Sequence, residues 1–312
     1  MKCIQLIIML ICLVCTGLFC FNMAAVQSPV TMPPSQKASG SVSEKSPMGT
    51  MGSMKSLKRT ANKMGYEDTE TNQLLKKYLD FAPQSPGNLL DLGCAWGYAV
   101  QEILGIEKQT PFLKPHNRKI IAIDMSQEHI NHVAATTSPE LVETLVMRFP
   151  SLGSRQCKKA FSPNSLGATY AGLVFHYLSP DELTKGLNLL FDATAPGGRV
   201  YASVITPYLS QSLLEDFLHR KKDLKEPFPG WYPNILDSAV PEKVRNDMSL
   251  AICGKETTFL HVFDNETMQR YFEDAGFSVV EHFYFMRNEV FRRKLLGIIA
   301  EKKTDTSLRK KP

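Results

Sequence analysis

The residues of this 312-residue chain with the greatest capacity for chemistry stand in one short string, Leu89-Leu90-Asp91-Leu92-Gly93-Cys94-Ala95-Trp96-Gly97-Tyr98. An apolar strand runs straight into a glycine turn. There Gly93 lets the backbone approach a ligand with no Cβ in the way, and Gly97 lets a following helix pack close. A three-glycine dinucleotide fingerprint serves a pyrophosphate. This string instead carries an acid, Asp91, two residues before its first glycine, which suits a ligand bearing a positively charged amino group. The candidate contacts here are Asp91, Gly93, Cys94, Ala95 and Gly97. Asp124 ends the next apolar run, where a carboxylate can accept hydrogen bonds from both hydroxyls of an adenosine ribose. Met125, beside it, is placed to pack on the base.

These residues need elements to hold them. The spacing of Leu74, Leu75, Tyr78 and Leu79 predicts a helix over Ala61 to Phe81, ended by Pro83, Pro86 and Gly87. Asn88 to Leu92 reads as a strand, and Tyr98 to Leu104 as a helix. The unit repeats as a strand from Lys119 to Ile123 and a helix from Gln127 to Ala135, capped by Ser126. Thr144 to Phe149 and Ala168 to Phe175 are further strands. Ser179-Pro180-Asp181-Glu182 opens a helix over Leu183 to Ala193, which stops at Pro196-Gly197-Gly198. Arg199 to Ile205 is a β-branched strand. The rhythm then breaks over residues 206–262, a proline-rich insertion that is a lid candidate. A helix from Glu266 to Ala275, capped by Asp264, and two strands, Ser278 to Phe285 and Lys294 to Ala300, complete the chain. Alternating strands and helices imply an α/β, Rossmann-like, seven-stranded and mostly parallel sheet covered by helices on both faces. Its ligand belongs at the carboxyl ends of the strands.

The turn and Asp124 resemble the class I S-adenosylmethionine-dependent methyltransferase family, in which the first strand ends in an acid-x-Gly-x-x-x-Gly turn and the second in a ribose-binding acid. Leu173 to Asp181, Ala195-Pro196-Gly197-Gly198 and Phe272 to Phe277 are similar to its later landmarks, so the likeness covers roughly Asn88 to Ala300. It implies S-adenosylmethionine as cofactor and methyl transfer as activity. Three features depart from the pattern. Gly93 and Asp124 are farther apart than the roughly 20 residues expected, which a loop across Glu107 to Lys119 would explain. Arg148 and Phe149 stand where an acid near the adenine is expected, and Gly167 where strand four usually starts with an acid.

The rest of the sequence bounds the protein. Hydrophobic residues at 43% and charged residues at 21% fit a globular domain. The net charge of +5 is mild and falls partly in a basic tail, 304–312, so no nucleic-acid partner is expected. Cys94, Cys157 and Cys253 are too scattered for a disulfide framework, and no Cys/His spacing suits a metal. Residues 1–25 form an apolar leader, a signal peptide or a membrane anchor with membrane association through residues 3–21. A flexible linker, 26–55, joins it to a methyltransferase domain over 56–303. The protein is then membrane-anchored or secreted, or cytoplasmic if translation starts between Met48 and Met54.

No catalytic residue is named. His176 reads as a packed histidine more readily than as a base. Trp96 is placed either to shape the cofactor mouth or only to pack, and Tyr66 to cover the cofactor. Phe228, Trp231 and Tyr232 line a pocket or staple the insertion to the sheet, the second reading slightly favoured. The long aromatic insertion and the leader point to a small-molecule or lipid-like acceptor. No Asn-Pro-Pro-Tyr-like motif follows strand four, against methylation of a nucleic-acid amine. The alternative is a noncatalytic, secreted or membrane-tethered binding protein on the same fold, with a dehydrogenase third.

Overall fold

The computed structural model describes residues 57–151, 153–251, 258–286 and 294–304, with the backbone alone at 247–251. The leader, the linker to residue 55 and tail residues 305–312 lie outside the described residues. Cys253 lies outside them too, while Cys94 and Cys157 are free and buried. Among the described residues no helix is long and apolar enough to cross a membrane.

The repeating units form as their patterns require. Strands β3 (Asn88–Leu92), β4 (Ile120–Asp124), β5 (Val142–Val146), β6 (Leu166–Gly172) and β7 (Thr194–Ile205) run parallel. The antiparallel β11 (Lys294–Glu301) follows β7, and β10 (Ser278–Met286) closes that edge. The order across the sheet is β10-β11-β7-β6-β3-β4-β5, so β3 and β6 lie at its centre.

Alternation along each strand sends neighbours to opposite faces. Leu89, Ile120 and Ala122 join one core with Leu74, Tyr78, Val100, Ile103 and Val133, contributed by α1 (Gln73–Phe81), α2 (Tyr98–Gln109) and α3 (Gln127–Thr136). Leu90, Leu92, Ile121 and Ile123 join the other with Cys157, Leu183, Leu187 and Phe272, from α4 (Arg155–Ala160), α5 (Pro180–Ala193) and α8 (Asn265–Asp274). Helices therefore cover both faces. Each fully buried leucine contributes about 1.5–3 kcal/mol.

The expected helix starts are present. Ser126 caps α3, Asp264 caps α8, and Ser179 opens α5 in a full capping box with Glu182. The long first connection has its cause in α2, which continues to Gln109 before the loop turns back. Buried Glu107 accepts the amides of Phe112 at 2.6 Å, Leu113 at 2.7 Å and Lys114 at 3.2 Å.

Two regions differ from the sequence reading. The helix expected from Ala61 begins only at Gln73, where Asn72 accepts the amide of Leu75 at 2.9 Å. Before it lies a short hairpin, β1 (Leu57–Arg59) and β2 (Tyr66–Asp68), whose turn is tied by Thr60 and Gly65 and holds Lys63 at φ 57°. Segments of three residues are too short to show alternation. The helix before Pro196 ends at Ala193, and β7 starts at once, absorbing Ala195 to Gly198 as an irregularity with Gly197 at φ 78°.

The insertion is more ordered than its prolines suggest. It holds α6 (Gln211–Lys222), β8 (Trp231–Tyr232), α7 (Glu242–Ala251) and β9 (Leu260–His261). Leu213, Phe217, Tyr232, Ile235 and Val262 are buried in the same core as α1 and α2.

Candidate active site

A cavity of about 440 Å³ opens above the carboxyl ends of β3, β4, β6 and β7, within the 300–1,000 Å³ usual for small-molecule sites. Its floor is the glycine turn. Asp91 ends in the buried part of β3, and the amides of Gly93 and Cys94 both donate to the Ile123 carbonyl, at 2.7 and 2.9 Å. Gly93 has φ 72°, and a Cβ there would fall 2.5 Å from the Val174 side chain. Gly97, at φ 87°, brings α2 against Val133 of α3, where a Cβ would meet it at 2.8 Å. Ala95 also holds a positive φ, 45°, and its amide donates to Asp124 Oδ2 at 3.0 Å.

Asp124 is placed by three donors. Its Oδ1 accepts from the Ser126 amide at 2.8 Å and pairs with His129 Nδ1 at 3.0 Å. The other ring nitrogen, Nε2, accepts the Ala61 amide at 2.8 Å, so the imidazole carries its proton on Nδ1 and donates to Asp124. The turn and the strand end are thus one hydrogen-bonded unit. Met125 is half-exposed at the cavity wall.

Asp91 is the anomaly of the site. It is 3% exposed, and its Oδ2 has no hydrogen-bond partner among the described residues. Burial first, then the carboxylates of Glu67 and Asp124, push it well above the ordinary carboxylate range. A buried acid without a partner is costly. The ammonium of an amino-acid moiety would satisfy it, and the residues present therefore fit the group that the sequence pattern implied.

Of the sequence candidates, Asp91, Gly93, Cys94, Ala95, Asp124 and Met125 line the cavity, while Gly97 acts behind it through helix packing. Tyr66 lines it, with the rest of the hairpin. Trp96 does not. Its Nε1 donates to the Arg59 carbonyl at 2.7 Å and its ring carries Lys58 Nζ at 3.9 Å, so it holds down β1. His176 is buried and lines the cavity, its ring tilted against that of Tyr177. Phe228 stacks on Tyr271, and Tyr232 donates to Asp216 at 2.7 Å. Trp231 packs behind Phe259, the one described residue of the insertion that reaches the cavity. Phe228 thus ties the insertion to α8, while Trp231 and Tyr232 make these contacts within the insertion, and none of the three lines the cavity.

The missing acids have different outcomes. Arg148 lines the rim where the adenine acid was expected and pairs with Glu182 at 2.9 Å. At Gly167 no side chain fits, because a Cβ would collide with the Gly87 amide and meet Ser85 Oγ at 2.9 Å. Sequence reasoning missed Glu67, which lines the cavity and accepts the Tyr98 amide at 2.9 Å, and His129. His129 had a signal, since it lies on the buried side of α3 five residues after Asp124.

Five parallel strands, a single reversed strand inside the far edge, and an acid-ended glycine turn at the sheet's centre define the class I methyltransferase architecture. The chain belongs to the methyltransferase domain family, whose profile matches residues 61–282. The cofactor of that class is S-adenosylmethionine. Similar solved structures include an S-adenosylmethionine-dependent methyltransferase from Methanosarcina mazei, 19% identical over 75% of this chain and 99% of that one, with a TM-score of 0.49. Another, from Mesorhizobium loti, is 16% identical over 73% and 95%, with a TM-score of 0.47. The 1,6-didemethyltoxoflavin-N1-methyltransferase of Burkholderia thailandensis, solved with 1,6-didemethyltoxoflavin and S-adenosylhomocysteine, is 14% identical over 74% and 79%, with a TM-score of 0.47. No curated protein matches the chain in sequence.

Proposed function

We propose that this protein transfers a methyl group from S-adenosylmethionine to a small-molecule or lipid-like acceptor. The observation that carries the reading is Asp91, a buried carboxylate with a free oxygen on the wall of a ligand-sized cavity. Asp91 would hold the cofactor's ammonium and Asp124 its ribose hydroxyls, while Gly93, Cys94 and Ala95 supply the close backbone and Met125 an apolar contact for the base.

When bound, S-adenosylmethionine supplies a methyl group on a positively charged sulfur, an excellent leaving group for in-line displacement. The chain then has to align the acceptor and exclude water, contributions on the order of 7–11 kcal/mol for good alignment. Tyr170, Leu173, Leu178, Ile205, Phe259 and Leu295 supply a largely apolar wall beyond the turn for that purpose. The described insertion supports this wall from behind, and the hairpin covers the cavity. The packing at Gly167 removes one ground for the noncatalytic alternative, since the absent acid there reflects a close backbone contact.

Calorimetric titration of the full-length protein with S-adenosylmethionine and S-adenosylhomocysteine tests the reading, with Asp124→Ala and a nicotinamide cofactor as controls. Micromolar binding that Asp124→Ala loses is the expected result. A folded wild type that binds neither compound would overturn it.

A further inference from the structure

Asp91 is not the only carboxylate in this part of the cavity. Glu67, on β2, lines it too, and its Oε1 already accepts the amide of Tyr98, the first residue of α2. Several charged groups bear on Glu67. Lys58 of β1 and His129 of α3 act on it, Asp91 and Asp124 share its cavity, and Asp68 and Glu70 flank it on its own segment. Neither basic group relieves Asp91. The Lys58 ammonium sits over the Trp96 ring, and both nitrogens of His129 are engaged. Arg148, the only Arg or Lys among the described residues that line the cavity, is at the rim with Glu182. The inner wall thus holds clustered acids, one of them buried with an unpartnered oxygen.

Resting on the methyltransferase reading, we propose that Glu67 is a cofactor-binding residue, the second carboxylate that, with Asp91, receives the ammonium of the cofactor's amino-acid end. Burial first, offset in part by the Tyr98 amide, raises the Glu67 carboxyl to about 7. Near neutral pH Glu67 is therefore partly protonated, and burial pushes Asp91 in the same direction. An arriving ammonium favours the ionised carboxylates, so each displaced proton goes to solvent and cofactor affinity rises with pH through this range.

The test compares wild type with Glu67→Gln, whose amide oxygen can still accept the Tyr98 amide and so preserve the helix cap. Binding of S-adenosylhomocysteine is measured beside 5′-methylthioadenosine, which has the same nucleoside but no amino acid. Each titration is repeated in buffers of different ionisation enthalpy to count protons. We expect Glu67→Gln to weaken S-adenosylhomocysteine about tenfold, as loss of one charge-assisted hydrogen bond would, to release fewer protons, and to leave 5′-methylthioadenosine unchanged. Equal weakening of both compounds would overturn the proposal by making Glu67 a structural cap, as would unchanged affinity and proton release. Failure of wild type to bind either compound would overturn it together with the functional reading beneath it.

Discussion

His129 fixes the carboxylate of Asp124, donating from Nδ1 at 3.0 Å while its own ring is pinned by the Ala61 amide on Nε2. The hairpin and the acid that ends β4 thereby meet on one buried imidazole. Asn at 129 can imitate the Nδ1 donor but not reach Ala61, whereas Gln can imitate the Nε2 acceptor and abandon Asp124. If Asp124 holds the ribose, we expect His129→Gln to weaken S-adenosylhomocysteine roughly tenfold, the scale of one hydrogen bond to a charged group. His129→Asn should weaken it less while making the hairpin more susceptible to proteolysis. Calorimetry and timed digestion check this, and equal affinities for the two variants would refute it.

The raised Glu67 carboxyl also sets a pH dependence of stability without ligand. Its folded value near 7 lies above the ordinary carboxylate value of 4.5, so the folded state binds the extra proton. Its contribution is fully present below about 4.5 and is lost as pH rises through about 7. The melting temperature of Glu67→Gln relative to wild type should therefore climb between those values. A difference that stays flat across that window would contradict the assignment.

Asp264 caps α8 through the Thr267 amide at 2.9 Å and pairs with Lys221 at 2.5 Å. Burial opposes its charge, but Lys221 and Thr267 together hold it below the ordinary carboxylate value. Asp264→Ala should cost about 1–2 kcal/mol, the range for a lost cap, measured by urea denaturation. A loss under a few tenths would mean that neither contact matters.

Two glycines make opposite forecasts. Gly167→Ala drives a methyl into the Gly87 backbone, where nothing flexible can yield, and should cost several kcal/mol or prevent folding. Gly105, inside α2, has nothing within 4 Å of a new Cβ, so Gly105→Ala should stabilise by about 0.5–1 kcal/mol. Denaturation midpoints of both variants decide the matter.

Local chemistry made much of this molecule readable. The turn from Asp91 to Gly97, the acid at Asp124 and the caps at Ser126, Ser179 and Asp264 are each specified within a few residues, and each stands where the sequence placed it. Features that depend on distant partners were not readable. The hairpin gains its form by seating its strands on Trp96 and Tyr98 and its turn on His129. Glu67 acquires a role only because β2 lines the same cavity as the end of β3, and Gly167 looks like a lost acid until Gly87 is seen against it. In the insertion, prolines masked α6, whose burial of Leu213 and Phe217 decides its helix more than propensity does.

The contact between Gly87 and Gly167 also bears on how relatives of this protein are to be found. Here two backbones meet with no room for any side chain, so position 167 belongs to the architecture and not to the cofactor. A search that demands an acid at the head of the fourth strand would discard this chain and any others built the same way. Because neither glycine leaves room for a Cβ, the two positions form one constraint, and a side chain at either would have to open the seam between the heads of β3 and β6.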